Sequence, residues 1–228
     1  MRHSIRMARA RLPQKGRTSP AAQSEVQRMK KGIIYIHGKG GNAEEAEHYQ
    51  PLFPEWDVVG FDYKAETPWQ ALTEFQAFFD AFCREHECVS LIANSIGALF
   101  AMYALSDRRI GKAFFISPIV SMERLISDMM LWANVTEAEL KEKGIIETGF
   151  GDPLSWDYLC WVREHPVSWN IPTSILYGSK DTLQSYETIR SFAAQTSAEL
   201  TVMDDGEHWF HTEEQMRFLD NWIQAAQR

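Results

Sequence analysis

The sequence predicts an α/β fold, in which a mainly parallel sheet of about six strands is covered by helices on both faces. Short runs rich in β-branched and aromatic residues alternate with longer helical stretches from Gly32 onward. This alternation is typical of βαβ units, whose strands run parallel and are buried on both faces. The chain has 228 residues, which is enough for one such domain with a sizeable core.

Each strand is predicted at a short apolar run that ends in a turn or loop. The predicted strands are 32–37, 56–63, 89–93, 112–116, 173–177 and 199–203, and the predicted helices are 43–53, 68–85, 96–105, 183–195 and 212–226. The helix at 68–85 has a clear apolar stripe, because Phe75, Phe78, Phe79 and Phe82 recur with the helical period. The helix at 96–105 is apolar nearly all round, so we expect it to be buried.

The alternation breaks once, between Pro118 and Pro172, where more than fifty residues separate two strands. Ordinary connections are much shorter. We therefore predict that segment 119–171 is a helical insertion that forms a lid over one end of the sheet. It is rich in tryptophan and methionine. These side chains either line a pocket for an apolar part of a substrate or simply attach the lid to the body.

The charge distribution separates a basic leader from an acidic body. Residues 1–31 contain nine Lys or Arg and one acid, whereas the remaining residues contain 14 basic and 30 acidic residues. The leader is predicted to be disordered, and the folded domain is predicted to span 32–228. An acidic body repels nucleic acid and anionic membrane surfaces, so neither is an expected partner.

The leader lacks the apolar core of a secretory signal, although its arginine content superficially resembles that of a transit peptide. The three cysteines, Cys83, Cys88 and Cys160, lack metal-type spacing and are expected to be free thiols. We therefore expect a soluble protein of the cytoplasm.

The stretch Ala93-Asn94-Ser95-Ile96-Gly97 lies between a predicted strand and a predicted helix. A tight turn here needs small residues two positions before and after its centre, and Ala93 and Gly97 meet that need. The pattern resembles the G-x-S-x-G nucleophile elbow of the α/β-hydrolase family, with alanine in place of the first glycine. The alternative is that Ser95 only caps the following helix.

The resemblance extends to the order of the remaining polar residues. Asp181 follows the strand at 173–177, and His208 follows the strand at 199–203, as the acid and the base do in this family. The resemblance therefore implies a Ser95–His208–Asp181 triad. Competing candidates for these roles are the acids Asp152, Asp157, Asp204 and Asp205, and the base His211. Asp181 could also be only a helix cap.

The loop His37-Gly38-Lys39-Gly40-Gly41-Asn42 is similar to the oxyanion loop of the same family. The resemblance implies that the oxyanion would bind the backbone N–H of Ile96 together with that of Lys39 or Gly40. A phosphate-binding loop is the alternative, although the P-loop spacing is absent.

The resemblance implies a compact member of the family with a three-layer α/β-hydrolase fold. It also implies a serine hydrolase that cleaves an ester, thioester or related acyl bond of a small, partly apolar substrate, with a carboxylic ester hydrolase as the first choice. Trp132, Trp161 and Trp209 are expected at the substrate pocket. No metal or organic cofactor is expected. An acyltransferase, a carbon–carbon hydrolase, or a ligand-binding receptor with little or no turnover remain alternatives, and the oligomeric state is open.

Overall fold

The computed structural model describes residues 30–227 and confirms the predicted fold class. Within these residues the strands are β1 Lys30–Ile36, β2 Trp56–Phe61, β3 His86–Asn94, β4 Ala113–Ile116, β5 Ile145–Ile146, β6 Leu154–Ser155, β7 Thr173–Gly178 and β8 Glu199–Met203. The α-helices are α1 Pro68–Phe82, α2 Ser95–Leu105, α3 Met122–Trp132, α4 Glu137–Lys143, α5 Trp156–Glu164, α6 Tyr186–Thr196 and α7 Glu213–Ala226.

Six of the strands form one parallel sheet in the order β2-β1-β3-β4-β7-β8. The central strands do not alternate apolar and polar residues: β4 is apolar throughout, and every residue of β7 is buried, including Thr173 and Ser174. Strands that are covered on both faces cannot alternate apolar and polar residues. Their continuous apolar runs therefore place them in the middle of a layered domain.

The two faces of the sheet carry two separate apolar clusters. On β1, Ile34 and Ile36 belong to the cluster that includes residues of α1, α2 and the insertion, whereas Ile33 and Tyr35 belong to the one that includes residues of α7. Successive side chains of a strand point to opposite faces, which explains this division. The helices that cover both faces make the domain a three-layer structure.

The segment predicted as a lid contains α3, α4, α5 and the short antiparallel pair of β5 and β6. Its start is fixed by the buried side chain of Gln184, whose amide oxygen accepts from the backbone N–H groups of Val120 (3.1 Å) and Ser121 (3.0 Å). Its helices pack on the α1 and α2 side of the sheet, where the rings of Trp161 and Tyr103 lie 4.8 Å apart.

Two predicted helices differ from the structure. Segment 43–53 forms two 3₁₀ segments, Ala43–His48 and Gln50–Leu52. Pro51 has no backbone N–H, which prevents one continuous α-helix through this segment. The helix predicted from residue 183 begins only at Tyr186. Ser185 caps it by accepting from the Thr188 N–H, while the preceding backbone folds around Asp181.

The first strand begins at Lys30, so Lys30 and Lys31 belong to the sheet and not to the predicted leader. The rest of the predicted leader lies outside the described residues. Across residues 30–227, no helix combines the length and apolar character needed to cross a membrane. All three cysteines are free thiols.

Gly60 provides a test of how tightly the first 3₁₀ segment packs on β2. A Cβ atom at this position would lie 1.9 Å from the carbonyl oxygen of Ala43, so the backbone would have to move. Gly60→Ala should therefore lower the free energy of unfolding by about 1–3 kcal/mol, measured by chemical denaturation. Gly149→Ala is the control, because a Cβ there meets nothing within 4 Å. Equal stabilities of the two variants would contradict the tight contact.

Candidate active site

The turn between β3 and α2 brings a hydroxyl to the carboxyl edge of the sheet. Ser95 has a φ of 49°, a left-handed conformation that is rare for a residue with a side chain. Gly97 makes the turn possible, because a Cβ at this position would lie 2.3 Å from the His37 carbonyl oxygen. Ala93 is fully buried. The small residues on either side of Ser95 thus let α2 approach the end of β1.

His208 connects the Ser95 hydroxyl to a buried carboxylate. The Nε2 atom of His208 lies 2.9 Å from the Oγ atom of Ser95, and its Nδ1 atom lies 2.7 Å from Oδ2 of Asp181. An ionised carboxylate has no proton to donate, so it accepts from Nδ1–H of His208. The Nε2 atom then accepts from the serine hydroxyl. The three residues predicted as a triad therefore form one continuous hydrogen-bonded chain.

Asp181 is held in place on both of its oxygens. Its side chain is 0% exposed, and Oδ1 accepts from the backbone N–H groups of Leu183 (2.8 Å) and Gln184 (3.3 Å). A buried carboxylate is costly unless donors surround it, and here two amides and the imidazole supply them. The orientation of Asp181 is thus fixed by two amides of its own loop, independently of its contact with His208.

The loops that carry the acid and the imidazole touch through two glycines. A Cβ at Gly178 would lie 2.4 Å from the Gly206 carbonyl oxygen, and the Lys180 N–H donates to that oxygen at 2.8 Å. These contacts hold the loop after β7 against the loop after β8. Asp181 and His208 meet because the two backbones can approach this closely.

The glycine-rich loop after β1 lies next to the hydroxyl. A Cβ at Gly38 would lie 3.1 Å from the Cβ atom of Ser95, and Gly40 has a φ of 76°. The His37 ring stacks on Tyr63 with centroids 4.3 Å apart, and the Tyr63 hydroxyl donates to the His37 carbonyl at 2.8 Å. The side chain of Lys39 forms an ion pair with Asp152 of the insertion.

A cavity of about 570 Å³ opens beside Ser95. Its wall combines the glycine loop with residues from the 3₁₀ segment, the sheet and the region around α7: Tyr35, Gly38, Lys39, Gly40, Gly41, Glu45, His48, Tyr49, Asn94, Ser95, Ile116, His208, Trp209, Phe210, Met216 and Leu219. The cavity therefore lies on the α7 side of the sheet, away from the helices of the insertion.

One of the three predicted pocket residues lines this cavity, and the other two do not. Trp209 lines the cavity and is 74% exposed, so it lies at the open side. Trp132 and Trp161 do not line it: Trp132 packs on Phe150 within the insertion, and Trp161 packs on Tyr103 of α2. Trp132 thus connects two parts of the insertion, and Trp161 attaches the insertion to α2. Attachment of the insertion was the second of the two roles considered for its tryptophans.

Two of the competing candidates, Asp205 and His211, have partners outside the Ser95–His208–Asp181 chain. Asp205 pairs with Lys180, and its backbone N–H donates to the Ser179 hydroxyl. The Nδ1 atom of His211 lies 2.8 Å from the Trp209 carbonyl oxygen. In the part of the chain that the structure describes, no cluster of three or more His, Cys, Asp or Glu side chains has a geometry that could hold a metal ion.

Sequence reasoning missed Tyr35 and Glu45, which share the cavity wall with Asn94. Burial raises the pKa of Tyr35 well above its ordinary value, and nearby Tyr49 and Glu45 raise it further, so its hydroxyl keeps its proton. The signal for Glu45 is the spacing Asn42-x-x-Glu45, a capping box that the structure contains. For Tyr35 the sequence carries no comparable signal, because an aromatic residue in a strand is ordinary.

Comparisons with solved structures give the same fold. Est1E from Butyrivibrio proteoclasticus is similar with a TM-score of 0.69 at 16% identity, over 90% of this chain and 89% of that one. It is also known with ferulic acid bound. A putative hydrolase from Agrobacterium vitis S4 is similar with a TM-score of 0.68 at 19% identity, over 86% and 87% of the two chains.

Alpha/beta hydrolase domain-containing protein 10 from mouse is similar with a TM-score of 0.66 at 15% identity, over 86% of this chain and 88% of that one. No protein-family profile and no curated protein sequence matches the chain. Identities at this level establish the architecture alone. The parallel sheet, its helical layers and these similarities together show that the chain has the α/β-hydrolase fold.

Proposed function

We propose that the protein is a serine hydrolase that cleaves an ester, thioester or related acyl bond of a small, partly apolar substrate. The observation that carries this proposal is the unbroken chain of hydrogen bonds from Asp181 through His208 to Ser95. A serine hydroxyl is a weak nucleophile unless a base takes its proton, and a base in contact with an oriented carboxylate meets that need.

In the proposed reaction, Ser95 Oγ attacks the substrate carbonyl carbon while His208 Nε2 takes the hydroxyl proton. Asp181 stabilises the imidazolium that forms and holds the tautomer. The tetrahedral intermediate expels the alcohol or thiol, which leaves with the proton from Nε2, and Ser95 keeps the acyl group. Water then attacks the acyl-enzyme through the same base and releases the carboxylic acid.

The tetrahedral intermediate requires donors for its oxyanion. We assign these to the backbone N–H of Ile96, at the first turn of α2, and to that of Lys39 or Gly40 in the glycine loop. The contact between Gly38 and the Cβ of Ser95 supports this, because it brings the loop to the nucleophile. Fixed backbone donors of this kind typically contribute about 3 kcal/mol each to lowering the barrier.

The cavity supports a substrate with an apolar part. At about 570 Å³ it falls in the size range of small-molecule sites, and much of its wall is aromatic or aliphatic. The bound ferulic acid of Est1E is an aromatic acid, which makes methyl ferulate a useful test ester beside the p-nitrophenyl series.

The nucleophile is tested by Ser95→Ala. We expect the variant to lose turnover of p-nitrophenyl butyrate by roughly 10⁴–10⁶-fold and to lose covalent labelling by a fluorophosphonate probe, detected by intact-protein mass spectrometry. Thermal unfolding should stay near that of the wild type. Wild-type labelling without turnover of any ester would favour a ligand-binding receptor instead, and equal labelling of the variant would exclude Ser95.

The acid is tested by Asp181→Asn, with Asp204→Asn as the matched control. The side-chain amide introduced by Asp181→Asn would present a donor as well as an acceptor to His208, which favours the wrong tautomer. The kcat should fall by about 10⁴-fold, whereas Asp204→Asn should leave it within about twofold, because Asp204 is exposed and does not line the cavity. A comparable loss in both variants would argue against the assignment.

The cavity is tested by Met216→Trp, which would fill space between α7 and the sheet. The kcat/KM for p-nitrophenyl hexanoate should fall relative to that for the acetate by at least about tenfold, since each methylene in an apolar pocket is worth about 1–3 kcal/mol. Leu131→Trp is the control, because Leu131 is 77% exposed on the insertion. If Leu131→Trp changed the chain-length preference and Met216→Trp did not, the substrate site would have to be assigned to the insertion and not to this cavity.

A further inference from the structure

We propose that Glu45 and Tyr35 are positioning residues, which hold the glycine loop in register with the nucleophile through a hydrogen-bonded chain that ends at Asn94. This inference rests on the proposed function and assigns a further part of the same site. Neither residue needs to touch the reacting atoms in this role.

The chain begins at the glycine loop. The Oε1 atom of Glu45 accepts from the Asn42 backbone N–H at 3.3 Å, at the end of the loop. A Cβ at Gly41 would lie 2.7 Å from the same carboxylate oxygen, so the carboxylate packs directly on the loop backbone. A loop with several glycines has little conformational preference of its own, and contacts of this kind define its geometry.

The chain continues into the sheet. The Tyr35 hydroxyl donates to Oε2 of Glu45 and accepts from Nδ2 of Asn94 at 2.8 Å. The chain ends at the side-chain amide of Asn94, which is the residue directly before Ser95. Tyr35 is 1% exposed, so the middle of the chain is the part that is shielded from water, and a hydrogen bond is stronger in such surroundings.

The direction of each hydrogen bond requires a carboxylate at position 45. Two donors, the Asn42 N–H and the Tyr35 hydroxyl, point at the two oxygens of Glu45. An ionised carboxylate is an acceptor at both oxygens, whereas an amide accepts at one end and donates at the other. Glutamine at this position offers one acceptor oxygen in place of two, so either the Asn42 N–H or the Tyr35 hydroxyl would lose its acceptor.

The consequence for the reaction falls on the transition state. The loop amides assigned to the oxyanion would shift relative to Ser95 if the chain were broken. The apolar part of the cavity wall, formed by Ile116, Phe210, Met216 and Leu219, is not held by this chain and would keep its shape. An interaction that is made only in the transition state changes kcat and not KM.

The experiment compares Tyr35→Phe, Glu45→Gln and the double variant with the wild type, using p-nitrophenyl butyrate. Each single variant should lower kcat by roughly 10–100-fold with KM within about twofold. Because both residues act in one chain, the double variant should be no worse than the more impaired single variant. Glu44→Gln is the matched control, since Glu44 is an exposed carboxylate in the same 3₁₀ segment.

A second measurement separates positioning from general destabilisation. A trifluoromethyl ketone adds to the serine and places an oxyanion between the same amides, so its affinity should fall by the same factor as kcat. Thermal unfolding identifies any variant that fails to fold, and Glu45→Gln then carries the test, since Glu45 is an exposed residue.

Two results would overturn the inference while leaving the proposed function intact. One is a raised KM with unchanged kcat, which would mean that these residues bind substrate. The other is a lower kcat with unchanged affinity for the ketone. If the wild type shows neither turnover nor fluorophosphonate labelling, the proposed function itself fails, and the inference fails with it.

Discussion

The site depends on how closely the first turn of α2 approaches the end of β1. The His37 carbonyl oxygen lies where a side chain at Gly97 would begin, so only glycine permits this contact. The same contact forces the chain to turn sharply at Ser95, which takes a left-handed conformation and faces the cavity. Backbone strain at one residue is tolerated because the pairing of β3 with β1 fixes the chain before the turn, and the contact of Gly97 with His37 fixes the chain after it.

A second close approach completes the chain of hydrogen bonds. Gly178 and Gly206 bring the loops after β7 and β8 into backbone contact, and the Asp181 carboxylate is already held by amides of its own loop. His208 then has one geometry that satisfies both the carboxylate and the hydroxyl. Imidazole orientation is thus set by buried backbone contacts, which are more rigid than a surface ion pair such as that between Lys39 and Asp152.

The division of the sheet into two faces explains where the cavity lies. The helices of the insertion bury their apolar side chains with α1 and α2, whereas the cavity wall shares Tyr35, Tyr49 and Leu219 with the cluster of the opposite face. Within residues 30–227, short 3₁₀ segments cover that face beside β1, in place of a full helix. This thinner cover is consistent with the room for a cavity next to Ser95.

Local sequence patterns were sufficient for the six strands of the main sheet, for most helices outside the insertion and for the elbow. Continuous apolar runs defined the strands, and the small residues around Ser95 marked a tight turn, because these signals depend on neighbours in the chain. The predicted helix at 43–53 was wrong, since Pro51 cannot donate the backbone hydrogen bond that a continuous α-helix needs there.

The sequence by itself determined the fold class and the order in which Ser95, Asp181 and His208 follow their strands. Only the tertiary structure decided that their side chains meet, that Trp161 packs on Tyr103 instead of lining the cavity, and that Glu45 reaches Asn94 through Tyr35. The physical reason is that strand and helix signals are local along the chain. Which face a side chain shares, and with which distant residue, is set by register and by the closest backbone contacts.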